Sequence, residues 1–374
     1  MEIKTPAFVF DIQNLKDRVK FIREILGDKI KICFAMKANP FLVKEMAELV
    51  DSLEVCSPGE FRICEKYRIA PEKIVLSGVY KEKSDIQRII GICKDKPLYT
   101  IESFAQFMLL RNIASYENII LNVCLRLSSG NQFGMDKDTI EKILKIKQNN
   151  LHICGIQMYS GTQKKNEKIQ NEIKDLDEYL HFLEKEYGFV CERIEYGPGL
   201  GVTYFQNETP RDDQKSLEEL KDALCFAKDR EIMIEMGRFL VAYAGSYHTT
   251  IVDMKTNFGV NYIIVDGGIN HLNYYGQMMA MKFPFIVHSG KDEKELQNYT
   301  ICGSLCTTAD VLVKNYPLYD AKIGDRLEFQ RAGAYSVTEG IHLFLSRDMP
   351  YIYKKIGNKL ELVRENLMTD ILNS

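Results

Sequence analysis

The sequence lacks the features that mark several functional classes. Its formal net charge at pH 7 is −3, so it carries no basic excess of the kind that binds nucleic acid. It contains no run of eighteen apolar residues, which argues against a membrane-spanning helix. The first residues, Met-Glu-Ile-Lys-Thr-Pro, lack the charged start and apolar stretch of a secretory signal. We therefore expect a cytoplasmic protein without nucleic-acid or membrane partners.

The cysteines also lack a recognisable pattern. Ten are present without the paired spacing of a zinc site, and most lie in apolar runs, as Cys33, Cys124 and Cys154 do. A cysteine in such a run packs as a small hydrophobe, and this usage is typical of a reducing compartment. We expect no metal site. Internal repeats, low-complexity tracts and long linkers are absent too, so the 374 residues should form two closely packed domains.

Apolar runs alternate with amphipathic stretches from residue 30 to about residue 238. The alternation predicts eight strands, at 30–37, 52–57, 73–78, 97–101, 119–128, 153–161, 193–199 and 232–238. Helical patterns lie between them, near 41–50, 59–68, 82–94, 103–114, 136–148, 165–186 and 215–229. Ser216 and Glu219 form a predicted capping box at the start of the last helix. This order predicts a (β/α)8 barrel, with a doubly wound open sheet as the rival.

The pattern changes after Arg238, where strands dominate and helices are few. Strand-like segments lie at 239–256, 260–266, 283–289, 299–303, 326–336 and 351–363. Gly357-Asn358 is a plausible hairpin turn within the last of them. The predicted fold class is therefore α/β: a (β/α)8 TIM barrel over residues 8–240 and a C-terminal β-rich domain over 241–374. Residues 1–7 can join the second domain.

Chemistry in a (β/α)8 barrel collects at the carboxyl ends of the strands. Lys37 ends a buried strand, where a lysine either reaches solvent or bonds to an aldehyde. The segment 195–201 is a glycine-rich turn whose N–H groups can approach an anion, and Thr162 offers a hydroxyl. Glu235 and Arg238 follow at the eighth strand. Each alone is also explained by a turn or a surface ion pair, but together they predict a site for pyridoxal phosphate.

The sequence resembles the ornithine/diaminopimelate/arginine decarboxylase family, which has the alanine-racemase fold. The resemblance extends from Thr5 to about Pro350. It rests on the segments Phe34–Asn39, Cys56–Glu60, Gln132–Gly134, Glu195–Gly199, Glu235–Arg238, Val265–Asn270, Cys302–Asp310 and Ala332–Tyr335. It implies a pyridoxal-phosphate-dependent amino-acid decarboxylase, a carbon–carbon lyase of biosynthesis.

The same resemblance implies roles for individual residues. Lys37 holds the cofactor as a Schiff base, and Glu235 pairs with its ring nitrogen. The implied phosphate ligands are Thr162, Gly199, Arg238 and Tyr335. Cys306 donates a proton after carbon dioxide leaves. It reaches the active site of the second subunit, which implies a homodimer with shared active sites.

Two departures from the family concern the cofactor. Tyr159 stands where the family has a histidine stacked on the cofactor ring, and a tyrosine can also stack on an aromatic face. Pro198 stands in the glycine loop, which removes one N–H donor.

Two further departures concern the substrate. Thr307 follows the catalytic cysteine, where the family commonly has an acid for the distal ammonium. His271-Leu-Asn-Tyr-Tyr275 stands where diaminopimelate decarboxylases carry an arginine for the distal carboxylate. Charged distal ends would be buried unpaired. We therefore expect an amino acid with a neutral or modified distal end, such as a carrier-protein-tethered glutamyl unit or a siderophore intermediate. The expected substrate contacts are Thr307, Asp310 and Tyr274.

Three other functions stay open. Diaminopimelate decarboxylase of lysine biosynthesis is one. An amino-acid racemase of the same fold is the second, although racemases place an arginine, not a carboxylate such as Glu235, against the ring nitrogen. The third is an inactive binding homologue, which retention of Lys37, Arg238, Cys306 and Tyr335 argues against.

Overall fold

A computed structural model describes residues 2–227, 229–274, 280–289 and 295–374. The chain divides into two compact units. The barrel unit consists of Val19–Gly201 and Asp212–Phe239, and the sheet unit of Met1–Arg18, Val202–Arg211 and Leu240–Ser374. The first strand, β1 (Ala7–Asp11), lies in the sheet unit. The predicted barrel domain begins at residue 8 and therefore includes β1, whereas the structure places β1 in the sheet unit.

The barrel unit is built on a closed barrel of eight parallel strands, which confirms the predicted fold. Its strands are β2 (Ile30–Ala35), β3 (Ser52–Val55), β4 (Ile74–Leu76), β5 (Leu98–Ile101), β6 (Leu121–Leu127), β7 (Leu151–Tyr159), β8 (Arg193–Gly197) and β9 (Glu231–Met236). Each strand pairs with the next, and β9 closes onto β2 with Glu235 opposite Cys33.

Helices precede and separate the barrel strands. They are α1 (Ile12–Leu26), α2 (Val43–Leu49), α3 (Pro58–Lys66), α4 (Lys83–Cys93), α5 (Phe104–Glu117), α6 (Lys137–Leu144), α7 (Asn166–Tyr187), α8 (Asp213–Ala223) and the short α9 (Arg238–Val241). The capping box predicted at Ser216 and Glu219 is wrong. Asp212 caps α8 instead, because its side chain accepts the N–H of Lys215 at 3.0 Å. None of the described helices is long and apolar enough to cross a membrane.

The barrel strands bury polar side chains as well as apolar ones. Glu54, Gln157, Glu195 and Glu235 are all less than 9% exposed. Gln157 on β7 donates to Glu235 on β9, past the intervening strand β8. Barrel interiors are usually filled by branched apolar residues, so these polar groups mark the end of the barrel where chemistry is possible.

The sheet unit contains a mixed sheet. Its remaining strands are β10 (Gly245–Asn257), β11 (Val260–Val265), β12 (Ile286–His288), β13 (Leu296–Cys302), β14 (Val311–Tyr319), β15 (Arg326–Phe329), β16 (Tyr351–Ile356) and β17 (Lys359–Arg364). The strand order is β14-β13-β11-β10-β1-β16-β17, and β15 pairs with β10 and β12. The hairpin at Gly357-Asn358 is present between β16 and β17.

β14 is not among the predicted strands, and it contains Pro317, a residue that usually argues against a strand. The structure places β14 at the edge of the sheet, where a missing N–H donor is tolerated. The predicted strand at 326–336 ends at Phe329. Beyond Phe329, the backbone at Gly333 comes close to the backbone at Val241. A Cβ atom at Gly333 would lie 2.0 Å from the carbonyl oxygen of Val241, so only glycine fits there.

Candidate active site

Lys37 lies just beyond β2, in a short turn of 3-10 helix. Its Nζ is 2.8 Å from Oε2 of Glu54 and 3.7 Å from Sγ of Cys56. Asn39 then begins the next turn by accepting the N–H of Phe41 at 3.1 Å. The side chain of Glu54 is only 1% exposed. The ammonium group therefore sits at the carboxyl end of the barrel strands, where a buried carboxylate holds it although the lysine side chain is 40% exposed.

Glu54 and Glu235 form a buried carboxyl pair whose pKa values shift in opposite directions. Burial opposes ionisation of Glu54, but the ammonium of Lys37 outweighs it and lowers the pKa of Glu54 to about 2. Burial, and then the charge of Glu54, raise the pKa of Glu235 to about 8. The two carboxyl groups are hydrogen-bonded partners, and Glu54, which faces the ammonium of Lys37, is the stronger acid of the pair.

Gln157 and Glu195 are two further buried polar residues of the barrel near Glu235. Gln157 donates from Nε2 to Oε2 of Glu235 at 3.0 Å, which fixes the orientation of that carboxyl group. Glu195 is fully buried, and burial raises its pKa to about 7 although Arg193 opposes the shift. Sequence reasoning missed Glu54, Gln157 and Glu195. The available signal was a polar residue inside an otherwise apolar parallel strand.

The segment Cys56–Glu60 forms a capping box at the start of α3. Ser57 accepts the N–H of Glu60 at 3.1 Å, and the carboxylate of Glu60 accepts the N–H of Cys56 at 2.6 Å. These two bonds fix the backbone of Cys56 next to Lys37. Burial, followed by the charge of Glu54, raises the pKa of the Cys56 thiol well above its ordinary value. Cys56 therefore stays a neutral neighbour of the lysine.

Glycines line the ends of β7 and β8. Gly199 has φ +60°, and a Cβ atom there would lie 2.0 Å from the carbonyl oxygen of Gly161. A Cβ atom at Gly197 would lie 2.6 Å from the ring of Tyr159. Only glycine permits this approach of the two loops. Thr162 lies in the same loop as Gly161.

Tyr159 lies among the predicted cofactor residues. Burial raises the pKa of its hydroxyl, and the charges of Lys37, Glu235 and Arg238 act on that hydroxyl as well. Arg238 begins α9, directly after β9. The barrel unit therefore brings together a lysine, a carboxyl pair, an aromatic ring and a guanidinium near glycine-lined loops.

The sheet unit carries the other predicted residues. Cys306 is exposed and Thr307 partly exposed in the turn after β13. Asp310 is 2% exposed, and its carboxylate accepts the N–H of Ile269 at 2.9 Å and of Leu305 at 2.8 Å. Asp310 therefore shapes the turn that carries Cys306, and its role as a substrate contact stays a prediction.

Tyr274 and Tyr335 also lie in the sheet unit. The hydroxyl of Tyr274 donates to the carbonyl of Gln330, and its ring packs against Tyr204 and Phe205. Tyr274 is 3% exposed and packs as a core residue, and its role as a substrate contact stays a prediction. Tyr275 lies outside the described residues. The backbone of Tyr335 has φ +65°, and its carbonyl accepts the N–H of Thr338 at 2.9 Å.

A family model described as "Pyridoxal-dependent decarboxylase, pyridoxal binding domain" matches residues 12–242. The chain belongs to the pyridoxal-dependent decarboxylases. This decarboxylase is 27% identical over 399 residues to the L-glutamyl-[BtrI acyl-carrier protein] decarboxylase of Niallia circulans, covering 98% of this chain and 92% of that one. It is also 27% identical over 391 residues to the diaminopimelate decarboxylase of Aquifex aeolicus, covering 97% and 90%.

Solved structures agree on the fold. Diaminopimelate decarboxylase from M. jannaschii, solved with L-lysine, matches with a TM-score of 0.89 at 22% identity, covering 99% of this chain and 91% of that one. A further chain, solved with PLP and cadaverine, matches with a TM-score of 0.80 at 20% identity, covering 91% and 87%.

The cofactor of this decarboxylase is pyridoxal phosphate. The residues present fit that group on three counts. Lys37 offers an amine for the aldehyde, Glu235 a carboxyl group for the ring nitrogen, and the turn at Gly199 a close backbone approach for the phosphate. When bound, the cofactor supplies an electron sink for the bond to the departing carboxylate.

Proposed function

We propose that this decarboxylase removes the α-carboxylate of an amino acid whose distal end is neutral or modified. The observation that carries the proposal is Thr307, which follows Cys306 in the turn held by Asp310 and is partly exposed. A carboxylate at this point would attract a distal ammonium, whereas a threonine hydroxyl offers only a hydrogen bond. A substrate with a second free charge would lack a partner here.

Relatives with such substrates support the proposal. One matching relative is named as acting on a glutamyl unit of an acyl-carrier protein. Another, from Staphylococcus aureus, is named 2-[(L-alanin-3-ylcarbamoyl)methyl]-2-hydroxybutanedioate decarboxylase and is 25% identical over 382 residues, covering 92% of this chain and 93% of that one. The second candidate is diaminopimelate, because the Aquifex aeolicus enzyme matches over nearly the whole chain as well.

In this proposal each residue of the barrel unit has its own role. Lys37 bonds to the aldehyde of the cofactor and is later free to accept or donate a proton at Nζ. Glu235 would face the ring nitrogen with its carboxyl group. Gln157 keeps that carboxyl in place. Thr162, Gly199 and Arg238 would receive the phosphate.

Cys306 is the proposed proton donor to the carbon that loses carbon dioxide. We assign it to the active site of a second copy, which makes the enzyme a homodimer. Its exposure in the sheet unit suits this role. An exposed apolar surface in the same unit suits a dimer too, and it consists of Leu343, Phe344, Leu345, Met368, Ile371 and Leu372, each 43% to 67% exposed.

Mixing two inactive variants tests this assembly. Lys37→Ala and Cys306→Ala should each be inactive alone, and together should recover about a quarter of wild-type activity after random subunit exchange. Each hybrid dimer then holds one site with an intact lysine and an intact cysteine. The measurement is carbon dioxide release after exchange has been demonstrated by mass.

A mixture of Lys37→Ala with Glu235→Ala is the matched control. Both residues belong to the same barrel, so no hybrid site is intact and no recovery is expected. Failure of the lysine–cysteine mixture, despite proven exchange, would show that each site is built from one chain.

A substrate competition tests the distal-end proposal. The enzyme should release carbon dioxide from a γ-glutamyl thioester faster than from diaminopimelate, ornithine or lysine. Thr307→Glu should shift kcat/KM towards ornithine and lysine, because the new carboxylate can pair with their distal ammonium group. Thr308→Glu, at the exposed neighbouring position, is the control and should leave the preference unchanged.

Efficient turnover of diaminopimelate with little on the thioester would reverse this proposal. It would leave the decarboxylase class intact and make lysine biosynthesis the function.

A further inference from the structure

A second lysine of the barrel unit, distinct from Lys37, is buried next to the glycine turn. Lys164 follows β7 and is 5% exposed. Its Nζ donates to Oε2 of Glu172 at 2.6 Å and to Oγ of Ser160 at 2.8 Å, and lies 3.5 Å from the carbonyl oxygen of Gly197. Burial lowers the pKa of Lys164, although the carboxylate of Glu172 opposes the shift.

This lysine connects three elements of the barrel unit. Glu172 lies on α7 and accepts two hydrogen bonds. One comes from Ser160, the first residue of the loop after β7, and the other from Tyr196 on β8 at 2.9 Å. The backbone N–H of Lys164 donates to the carbonyl of Gly199 at 3.0 Å. The Ser160–Lys164 loop, α7 and the Gly197–Gly199 turn are therefore bonded to one another through a single ion pair.

The same lysine also packs against the turn. A Cβ atom at Gly199 would lie 2.9 Å from Cε of Lys164, as well as 2.0 Å from the carbonyl of Gly161. The lysine stem and the opposite loop thus define the space on two sides of Gly199. A substitution of Lys164 or a shift of the opposite loop would therefore move the backbone at Gly199.

Stability alone does not account for this pair. Desolvation of two buried charges offsets much of their attraction, and a well-packed apolar pair in such a place is often as stable. What an ion pair with three further hydrogen bonds adds is a single fixed geometry. That geometry is imposed on the two loops to which Thr162 and Gly199 belong.

We propose that Lys164 and Glu172 are positioning residues that hold the Ser160–Lys164 loop and the Gly197–Gly199 turn together as one cradle for the cofactor's phosphate. The proposal rests on the assignment of Thr162 and Gly199 to that phosphate. Neither residue has to touch the cofactor, because each acts through the backbone that it fixes.

Binding of two probes to the full-length protein tests the proposal. Pyridoxal 5′-phosphate and pyridoxal share the aldehyde and the ring, and only the first carries phosphate. Dissociation constants of both, measured by visible absorption, give a phosphate preference. Lys164→Met should reduce that preference at least tenfold, with little change in the affinity for pyridoxal.

Two further variants make the result interpretable. Lys164→Met combined with Glu172→Gln leaves no unpaired buried charge, so it should fold even where the single variant does not, and it should show the same loss. Lys168→Met is the matched control, because Lys168 lies 3.9 Å from the same carboxylate but is 60% exposed. It should keep the wild-type preference.

The outcomes distinguish a failure of this inference from a failure of the phosphate assignment of Thr162 and Gly199 on which it rests. If the wild-type protein does not prefer pyridoxal phosphate to pyridoxal, the phosphate site itself is wrong. If the wild type shows the preference and the double variant keeps it in full, the phosphate site stands and the positioning role is overturned. A lower unfolding midpoint with an unchanged preference would likewise leave only a structural role for the pair.

Discussion

Replacing Lys37 by alanine is expected to abolish turnover and the yellow colour of the bound cofactor. The Nζ atom of Lys37 is the amine that the barrel unit presents beside the carboxyl pair, 2.8 Å from Glu54. Without it, the aldehyde has no covalent attachment, and a proton carrier at the reacting carbon is lost. Loss by several orders of magnitude in kcat is expected, measured with the visible spectrum and carbon dioxide release.

Lys31→Ala is the control for this change. Lys31 lies on β2, the strand that precedes Lys37, has a similar side-chain exposure of 45%, and lies 3.9 Å from Asp51, away from Glu54. Its replacement should leave spectrum and turnover intact. Since Lys37→Ala also leaves Glu54 buried without its cation, the variant's unfolding midpoint must be measured too. A folded Lys37→Ala protein with wild-type turnover would rule out the site assignment.

Replacing Glu235 by alanine is expected to reduce kcat by about 10² to 10³, with much less change in KM. The carboxylate of Glu235 beside the ring nitrogen would favour the protonated form of that nitrogen, which strengthens the cofactor as an electron sink. Glu235→Gln should be slow as well, because an amide retains the volume and the contact with Gln157 but supplies no titratable proton. Steady-state kinetics on both variants give the comparison.

Glu231→Gln serves as the control on the same strand. Glu231 lies at the opposite end of β9, where it pairs with Arg193 at 2.9 Å and is 47% exposed. Its replacement should leave kcat unchanged. A raised KM with an unchanged kcat in Glu235→Ala would instead assign Glu235 to substrate binding.

The sequence predicts the barrel well because its evidence is local. Each strand from β2 to β9 is a short apolar run between amphipathic segments, and all eight appear within a few residues of the predicted bounds. The glycine turn and the Glu235–Arg238 segment also carry local signals. Lys37, Glu235 and Tyr159 could therefore be predicted together, and the structure brings them together.

Partners that are distant in sequence could not be predicted in this way. Glu54 looks like any acidic residue in a strand until the barrel closes and places it against Lys37 and Glu235. Asp310 accepts two backbone N–H groups, one of them 41 positions away, and no local pattern connects these partners. Tyr274 likewise owes its burial to Tyr204 and Phe205, which nothing local connects to it.

The position of β1 has a consequence for the growing chain on the ribosome. β1 lies between β10 and β16, and the N–H of Lys4 donates to the hydroxyl of Tyr353, 349 positions away. At roughly 5–20 residues per second, β1 waits on the order of tens of seconds for β16 to be synthesised. The barrel strands are all complete before then. The apolar strand Ala-Phe-Val-Phe-Asp therefore has only β10 available as a neighbour until nearly the whole chain has been synthesised.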